Sequence, residues 1–348
     1  MVKAQKLKSG KYRIRVLIGV DSDGKRHYKS ITADTKREAE QKAIDFQFEM
    51  KNQAELKEKG PTVGKAVEQY IISKTNVLSP STVKGYYVIL YQYMPMISEK
   101  FINEITQHEI QVWISDLALS HSPKSCRNAH GLFSAVMSEH RPEMILRTRM
   151  PQKRLNDIYV PGPEEVIAIA KEIKGNWMEI PFLLATQCGL RASEICGLER
   201  KHILTDCISI NQAVVDGVDG PVTKQPKTQA GKRKIPISPA LRNVLLAVKT
   251  GTDGRICPYT SNSVSSAWGK FRNKHGINSN CNFHALRHYF ASNCLLMGMP
   301  QKYTAELMGH GSLDMIEKVY QHTFPSAMSR FAEMLREKNS SFMNAINN

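Results

Sequence analysis

Four prolines between positions 141 and 163 (Pro142, Pro151, Pro161 and Pro163) divide this chain. Each fixes its backbone φ and removes a hydrogen-bond donor, so neither helix nor strand runs through the stretch. The chain therefore folds as separate units on either side. Its 348 residues agree, being too many for one small core and natural for two or three domains. We place a linker at residues 141–160, made basic by Arg147, Arg149, Lys153 and Arg154.

The first unit opens with strict alternation. Over residues 11–18, Tyr12, Ile14, Val16 and Ile18 face one way, and Lys11, Arg13 and Arg15 the other. Asp23 and Gly24 signal a hairpin turn, and residues 27–32 a returning strand. Thr35 and Glu38 then form a capping box for a helix whose apolar stripe is Ala39, Ala43, Phe46 and Met50. Residues 1–30 hold nine basic side chains against two acidic ones. A basic strand face of this kind suits either a DNA groove or plain water.

Residues 53–60 are polar and read as the helix end plus a tether. Helical patterns follow to about position 140. Pro80 opens one helix with Tyr86, Leu90 and Tyr93 on a face, and Thr106 with Glu109 caps another carrying Ile110, Trp113, Ile114 and Leu117. Ala129, Leu132, Phe133 and Val136 mark a further helix. These stripes are core. Lys84, Lys124 and Arg127 are candidates for phosphate contact, with solvated charge as the alternative for each.

Beyond the linker, Pro163 and Glu164 open a helix, residues 207–215 have β character, and TKQPKTQAGKRKIPI (residues 223–237) is a polar turn between short strand-like pieces. Helices are predicted from Pro239 and around Trp268, Leu286, Ala305 and Val319.

Basic residues outnumber acidic ones 48 to 32, a formal charge of +16, which favours a polyanionic partner. No apolar run approaches membrane-spanning length and the first residues lack a signal-peptide core. We expect a soluble, cytoplasmic protein without membrane partners. The seven cysteines contain no CxxC pair, so disulfides are not expected in that compartment. Cys281, His284, His288 and Cys294 raise a zinc site, but one Cys-x2-His pair without a matched partner is weak evidence, and we expect no metal and no cofactor.

Four segments carry chemistry: QCGLRASEICGLE (residues 187–199), NFHALRHYFASNCL (282–295), LMGHGS (307–312) and EKVYQH (317–322). A phosphodiester in its transition state gains negative charge on its non-bridging oxygens. The guanidiniums of Arg191 and Arg287, always charged and planar, suit those oxygens. His284 stands one helical turn before Arg287, on the same face. Glu194, three residues after Arg191, is placed either to brace that guanidinium or as an ordinary surface carboxylate. A phenol such as Tyr320 attacks phosphorus only if a base and a cationic site favour the phenolate. The resulting phosphotyrosyl ester keeps the energy of the broken bond, so a second hydroxyl displaces it without ATP. The chain has no GxxxxGK[ST] phosphate loop, consistent with such chemistry. The leaving 5′ oxygen needs a proton. Lys227 on the polar turn is the first choice, with Lys224, Lys232 and Lys234 as rivals.

On GLRASEICGL, HALRH, LMGHGS and VYQH the chain resembles the tyrosine recombinases, and among them the phage and transposon integrases. The resemblance implies that Arg191 and Arg287 hold the scissile phosphate and that Tyr320 is the nucleophile. It also implies His284 as base or proton shuttle, His310 on a non-bridging oxygen and Lys227 as general acid. It covers nearly the whole chain and implies a multidomain fold. Residues 1–57 would be a small β-sheet plus helix that reads arm-type DNA, and 60–140 an all-α core-binding domain. Residues 161–337 would be a mainly α (α+β) catalytic domain with a small β-sheet, and 338–348 a C-terminal tail, with the stretch 327–348 docking on a neighbouring protomer. The implied activity is site-specific recombination of a mobile element in a bacterial host, at the nucleoid. A homotetramer would act at the synapse, with an excisionase and a host DNA-bending protein as possible accessories.

Three other readings share parts of this pattern. A type IB topoisomerase uses the same tyrosine and arginines without strand exchange. A non-catalytic DNA-binding regulator would keep the fold alone. A metal-dependent hydrolase would use His284, His288 and His310 and lose activity in EDTA.

Overall fold

The computed structural model describes residues 4–21, 24–153, 158–225, 231–309, 313, 316–317, 319 and 332–341, without the side chains of 52–58. Two compact units emerge: Met1–Asn76 with Gly85–Lys153, and Val77–Lys84 with Arg154–Asn348. The architecture is mainly helical with small antiparallel sheets.

In the first unit, strands β1 (Gln5–Lys6), β2 (Tyr12–Val20) and β3 (Arg26–Ala33) form one antiparallel sheet against helix α1 (Lys36–Lys59). The Thr35 hydroxyl accepts the Glu38 N–H at 3.2 Å. Ile14 and Val16 pack with Ala39 and Ala43, and Phe46 closes the edge. Ile18 does not join them. It is 44% exposed, because the register with β3 slips between Leu17 and Gly19 and ends the strict alternation. Asp23, expected in the hairpin turn, lies outside the described residues.

Helices α2 (Val63–Lys74), α3 (Pro80–Val88), α4 (Pro95–Ser98), α5 (Gln107–Ser120) and α6 (Pro123–His140) follow. The capping box at α5 is complete: Thr106 Oγ1 accepts the Glu109 N–H at 3.3 Å, and Glu109 Oε2 accepts the Thr106 N–H at 2.9 Å. Such a cap stabilises by about 1 kcal/mol. Ile110, Trp113, Ile114 and Leu117 are buried, as are Ala129, Leu132, Phe133 and Val136 on α6. The face expected on Tyr86, Leu90 and Tyr93 is altered by a π-helical turn, Ile89–Tyr93, which buries Ile89 and Leu90. The Trp113 indole donates to the Tyr93 carbonyl at its end, 2.6 Å away.

The proline-rich stretch is irregular but not loose. Gln107 and Gln111, one turn apart on α5, accept the backbone N–H groups of Arg147 and Arg149 at 3.0 and 2.8 Å. Arg141 donates to the carbonyl of Ile105 at 3.0 Å, and Arg127 to that of Pro151 at 2.6 Å. The chain therefore stays strapped to the first unit through about Pro151, well into the linker at residues 141–160.

The second unit contains α7 (Pro163–Ile173), α8 (Glu179–Cys188), α9 (Ala192–Gly197), α10 (Pro239–Ala247), α11 (Ser261–Lys274), α12 (Phe283–Leu296) and α13 (Gln301–Met308). Strands β4 (Cys207–Ile210) and β7 (Arg233–Pro236) pair, as do β5 (Ala213–Asp216) and β6 (Pro221–Lys224). Trp268 is central to the core, its indole donating to the Cys281 carbonyl at 2.7 Å and its ring 6.2 Å from that of Phe182. Helices α8 and α12 pack directly on each other and carry the site on their ends. The helix expected around Val319 falls largely outside the described residues. Among the described residues no helix is long and apolar enough to cross a membrane.

Candidate active site

Two glycines end two helices and aim carbonyls at the site. Gly189 (φ +63°) closes α8 in the left-handed region, and its N–H donates to Ala185 O at 3.2 Å. A side chain there would run into the Phe290 ring. Gly309 (φ +62°) closes α13 the same way, its N–H donating to Glu306 O at 3.0 Å. The left-handed conformation is open to glycine at no steric cost.

Arg191 follows Gly189 after one residue and stands at the N-terminus of α9. Glu194, in the first turn of α9, accepts the Arg191 backbone N–H at 2.9 Å and its Nη1–H at 2.9 Å. Arg191 Nη2 donates to the Gly309 carbonyl at 3.1 Å, and Nη1 to that of Met308 at 3.4 Å. Arg287, on α12, is fully buried. It donates through Nη1 to the Gly189 carbonyl and through Nη2 to the Met308 carbonyl. Its Nε–H is buried with no partner among the described residues.

A third arginine completes the cluster, one that the sequence reading passed over. Arg233, first residue of β7, grips Glu194 with two parallel bonds: Nη1 to Oε1 at 3.0 Å and Nη2 to Oε2 at 2.9 Å. Its Nε donates to the Leu307 carbonyl at 2.6 Å. Three successive carbonyls at the C-terminus of α13, Leu307, Met308 and Gly309, thus each accept from arginine. Those carbonyls lack helical partners and form the negative end of the helix dipole, so cations are stabilised there. A signal for Arg233 was present in RKIPI: strand alternation puts it on the face of Ile235, which is buried, while Lys232 and Lys234 are exposed.

Electrostatics follow from this packing. Burial pushes the Glu194 carboxyl up, but the bonds and charge of Arg233, with Arg287 and Arg191 adding to it, outweigh burial and hold it at about 2. Burial and the neighbouring Arg191 lower Arg287 to about 9, with Glu194 opposing, so it stays charged at neutral pH. Three guanidiniums around one carboxylate leave the site net positive. His284 is exposed by surface area, yet protein atoms surround much of its ring and Arg287 and Arg191 lie near it. Desolvation first, then Arg287 and Arg191, lower it to about 4, so it is neutral at pH 7. His288, one turn on, packs edge-on against it with ring centroids 4.7 Å apart, and burial holds it near 3.

The fold therefore brings together Arg191, Glu194, Arg287 and His284. Lys227, His310 and Tyr320 lie outside the described residues. Lys224 donates to the Ser79 hydroxyl at 3.0 Å, and its rivals Lys232 and Lys234 flank Arg233 on β7. Among the nucleic-acid candidates, Lys11, just before β2, and Arg15, on β2, are exposed, Lys11 pairing with Asp34 at 3.1 Å, and Arg13 is half-buried between them. Lys124 is exposed and Lys84 half-buried, whereas the Arg127 guanidinium is committed to the Pro123 and Pro151 carbonyls. Among the described residues no three His, Cys, Asp or Glu side chains gather as metal ligands, those of the Cys281–Cys294 stretch included.

Clustered guanidiniums at helix ends, with a neutral histidine beside them, have the charge and donor geometry that suit a phosphodiester. Residues 163–326 match the model of the phage integrase family. The chain is 23% identical to a XerC-like tyrosine recombinase of Caldanaerobacter subterraneus subsp. tengcongensis, over 96% of this chain and 98% of that one. A tyrosine recombinase of Agathobacter rectalis is also 23% identical, over 75% and 91%. Among solved structures, the Tn1549 transposon integrase in complex with circular intermediate DNA shares the fold at a TM-score of 0.64 and 19% identity, over 78% of this chain and 99% of that one. A lambda integrase tetramer bound to a Holliday junction gives 0.59 at 18%, over 90% and 96%. Together the family match over residues 163–326 and these relatives support a tyrosine recombinase of the integrase type.

Proposed function

We propose that this enzyme, a site-specific recombinase that breaks and rejoins DNA strands, moves a mobile element through a covalent 3′-phosphotyrosyl intermediate. The observation that carries the reading is the arginine cluster: Arg191 and Arg287 meet at the Met308 carbonyl with Glu194 beneath them. In this reading both guanidiniums hold the scissile phosphate and stabilise the charge that develops on its oxygens. The buried Nε–H of Arg287, without a partner among the described residues, is a donor left for such an oxygen. Tyr320 attacks phosphorus, and neutral His284 takes or relays the phenol proton. His310 bonds to a non-bridging oxygen. Lys227 protonates the leaving 5′ oxygen. The tyrosyl ester is then displaced by the 5′ hydroxyl of the partner strand, restoring the backbone and the phenol.

Residues 60–140 and 161–337 would clamp a core-type site, with Lys84 and Lys124 on phosphates. Residues 1–57 would read arm-type sites through Lys11, Arg13 and Arg15, and the stretch 327–348 would dock on a neighbour. Strand exchange needs four cleavages, hence a tetramer at the synapse, as in the lambda integrase assembly on a Holliday junction. The Tn1549 integrase complexes with transposon end and circular intermediate DNA favour a mobile element as the cargo. An excisionase, a host DNA-bending protein and a bacterial nucleoid setting complete the reading. The test is Tyr320→Phe: it should bind DNA yet form no SDS-resistant adduct on a nicked duplex. A persisting adduct means another nucleophile.

A further inference from the structure

Arg233 has no role in the chemistry assigned above, yet it is the most completely engaged arginine of the cluster. Its side chain is 7% exposed. Both terminal nitrogens are bonded to Glu194, and Nε to the Leu307 carbonyl. Nη1 also donates to the Gly231 carbonyl at 3.5 Å, so four of its five N–H groups are engaged within the protein. What it holds, however, holds the clamp. Glu194 Oε1 accepts from Arg191 Nη1 as well as from Arg233, and Oε2 accepts the Arg191 backbone N–H and lies 3.7 Å from Arg287 Nη1. The Leu307 carbonyl adjoins those of Met308 and Gly309, on which Arg191 and Arg287 rest. Register matters too. Arg233 pairs across the sheet with Ile210 and shares the inner face with Ile235, which pairs with Ile208, so β7 delivers the guanidinium from a rigid base.

We propose that Arg233 is a positioning residue for the phosphate clamp, fixing Arg191 and Arg287 through the Glu194 carboxylate and the end of α13. The proposal rests on the recombinase reading. Without Arg233, Glu194 keeps only Arg191 as a directly hydrogen-bonded cation, and the Leu307 carbonyl loses its donor. The two clamp arginines then settle by fractions of an ångström, enough to lower a rate steeply when reacting groups must be held in near-attack geometry.

The experiment uses the full chain and nicked suicide duplexes cut from the DNA flanking the coding sequence. Single-turnover adduct formation is measured against DNA concentration for wild type, Arg233→Met, Arg233→Lys, Glu194→Gln and the Glu194→Gln/Arg233→Met pair. Thermal unfolding sets the assay temperature where every variant is folded. Arg233→Met should lower the maximal cleavage rate about tenfold or more while the half-saturating DNA concentration moves less than about twofold. Arg233→Lys should recover part of the rate, since an ammonium replaces one bond of the fork but not both. The double variant should be about as slow as the slower single one, because both changes break one connection. Wild-type cleavage by folded Arg233→Met, or losses that multiply in the double variant, would overturn the proposal. So would a change confined to DNA affinity. A wild-type chain forming no adduct sinks the recombinase reading and this proposal together. A wild-type adduct with an unaffected Arg233→Met sinks only the proposal.

Discussion

Glu194→Gln tests the electrostatic frame of the site directly. The carboxylate is 7% exposed and faces three guanidiniums, Arg191, Arg233 and Arg287. Its pKa falls from 4.5 to about 2. A depressed carboxyl contributes stability that is complete above its unfolded pKa and is lost as pH falls through the folded one. A shift of that size corresponds to roughly 3 kcal/mol at pH 7. Glutamine keeps the shape but removes the charge, leaving the buried Arg233 and Arg287 and the half-buried Arg191 without their carboxylate, a change that costs about 3–5 kcal/mol where buried pairs are broken. For a unit of this size, about 3 kcal/mol lowers Tm by roughly 6–12 °C. The assay is thermal unfolding of wild type and variant at pH 7 and at pH 3.5. As pH falls below 4.5, the unfolded wild type takes up a proton that the folded one refuses. By pH 3.5 the gap should therefore shrink by about 1.4 kcal/mol, because the variant has nothing there to titrate. Equal Tm values at pH 7, or a gap that does not narrow with acid, would refute the reasoning.

Two further substitutions probe the same geometry. Arg191→Lys should bind DNA but cleave at least about a hundredfold more slowly, since one ammonium cannot reach both Glu194 and the Gly309 carbonyl; a wild-type cleavage rate would remove the clamp argument. Gly189→Ala should destabilise the fold by roughly 2–3 kcal/mol, from left-handed strain and the contact with Phe290, and urea unfolding that matches wild type would show that the helix end relaxes freely.

Local structure was legible wherever it rested on neighbours in sequence. The Thr106–Glu109 box, the α5 and α6 stripes and the β2 alternation up to Val16 could be read directly, because each depends on spacings of two, three or four residues. Legibility stopped at Ile18, where a slip against β3 turns an apolar side chain outward. It stopped again at Ile89–Tyr93, where a π-turn shifts the buried face. The anchoring of the 141–160 linker was not legible because Gln107 and Gln111 lie 40 and 38 residues upstream of their partners.

The sequence alone determined which chemistries were available: always-charged forks in GLRASEICGL and HALRH, a phenol after them, and no phosphate loop. These are properties of side chains and need no coordinates. Only the tertiary structure decided that Arg191 meets a carbonyl 117 residues away, and that Arg233 shares its carboxylate. A strand and four helices converge there, and convergence is fixed by the packing of α8 on α12 and the pairing of β4 with β7. The physical reason is burial. An arginine read from sequence is presumed to be solvated, and it becomes part of a site only when the fold removes its water and leaves a carboxylate and helix-end carbonyls in exchange.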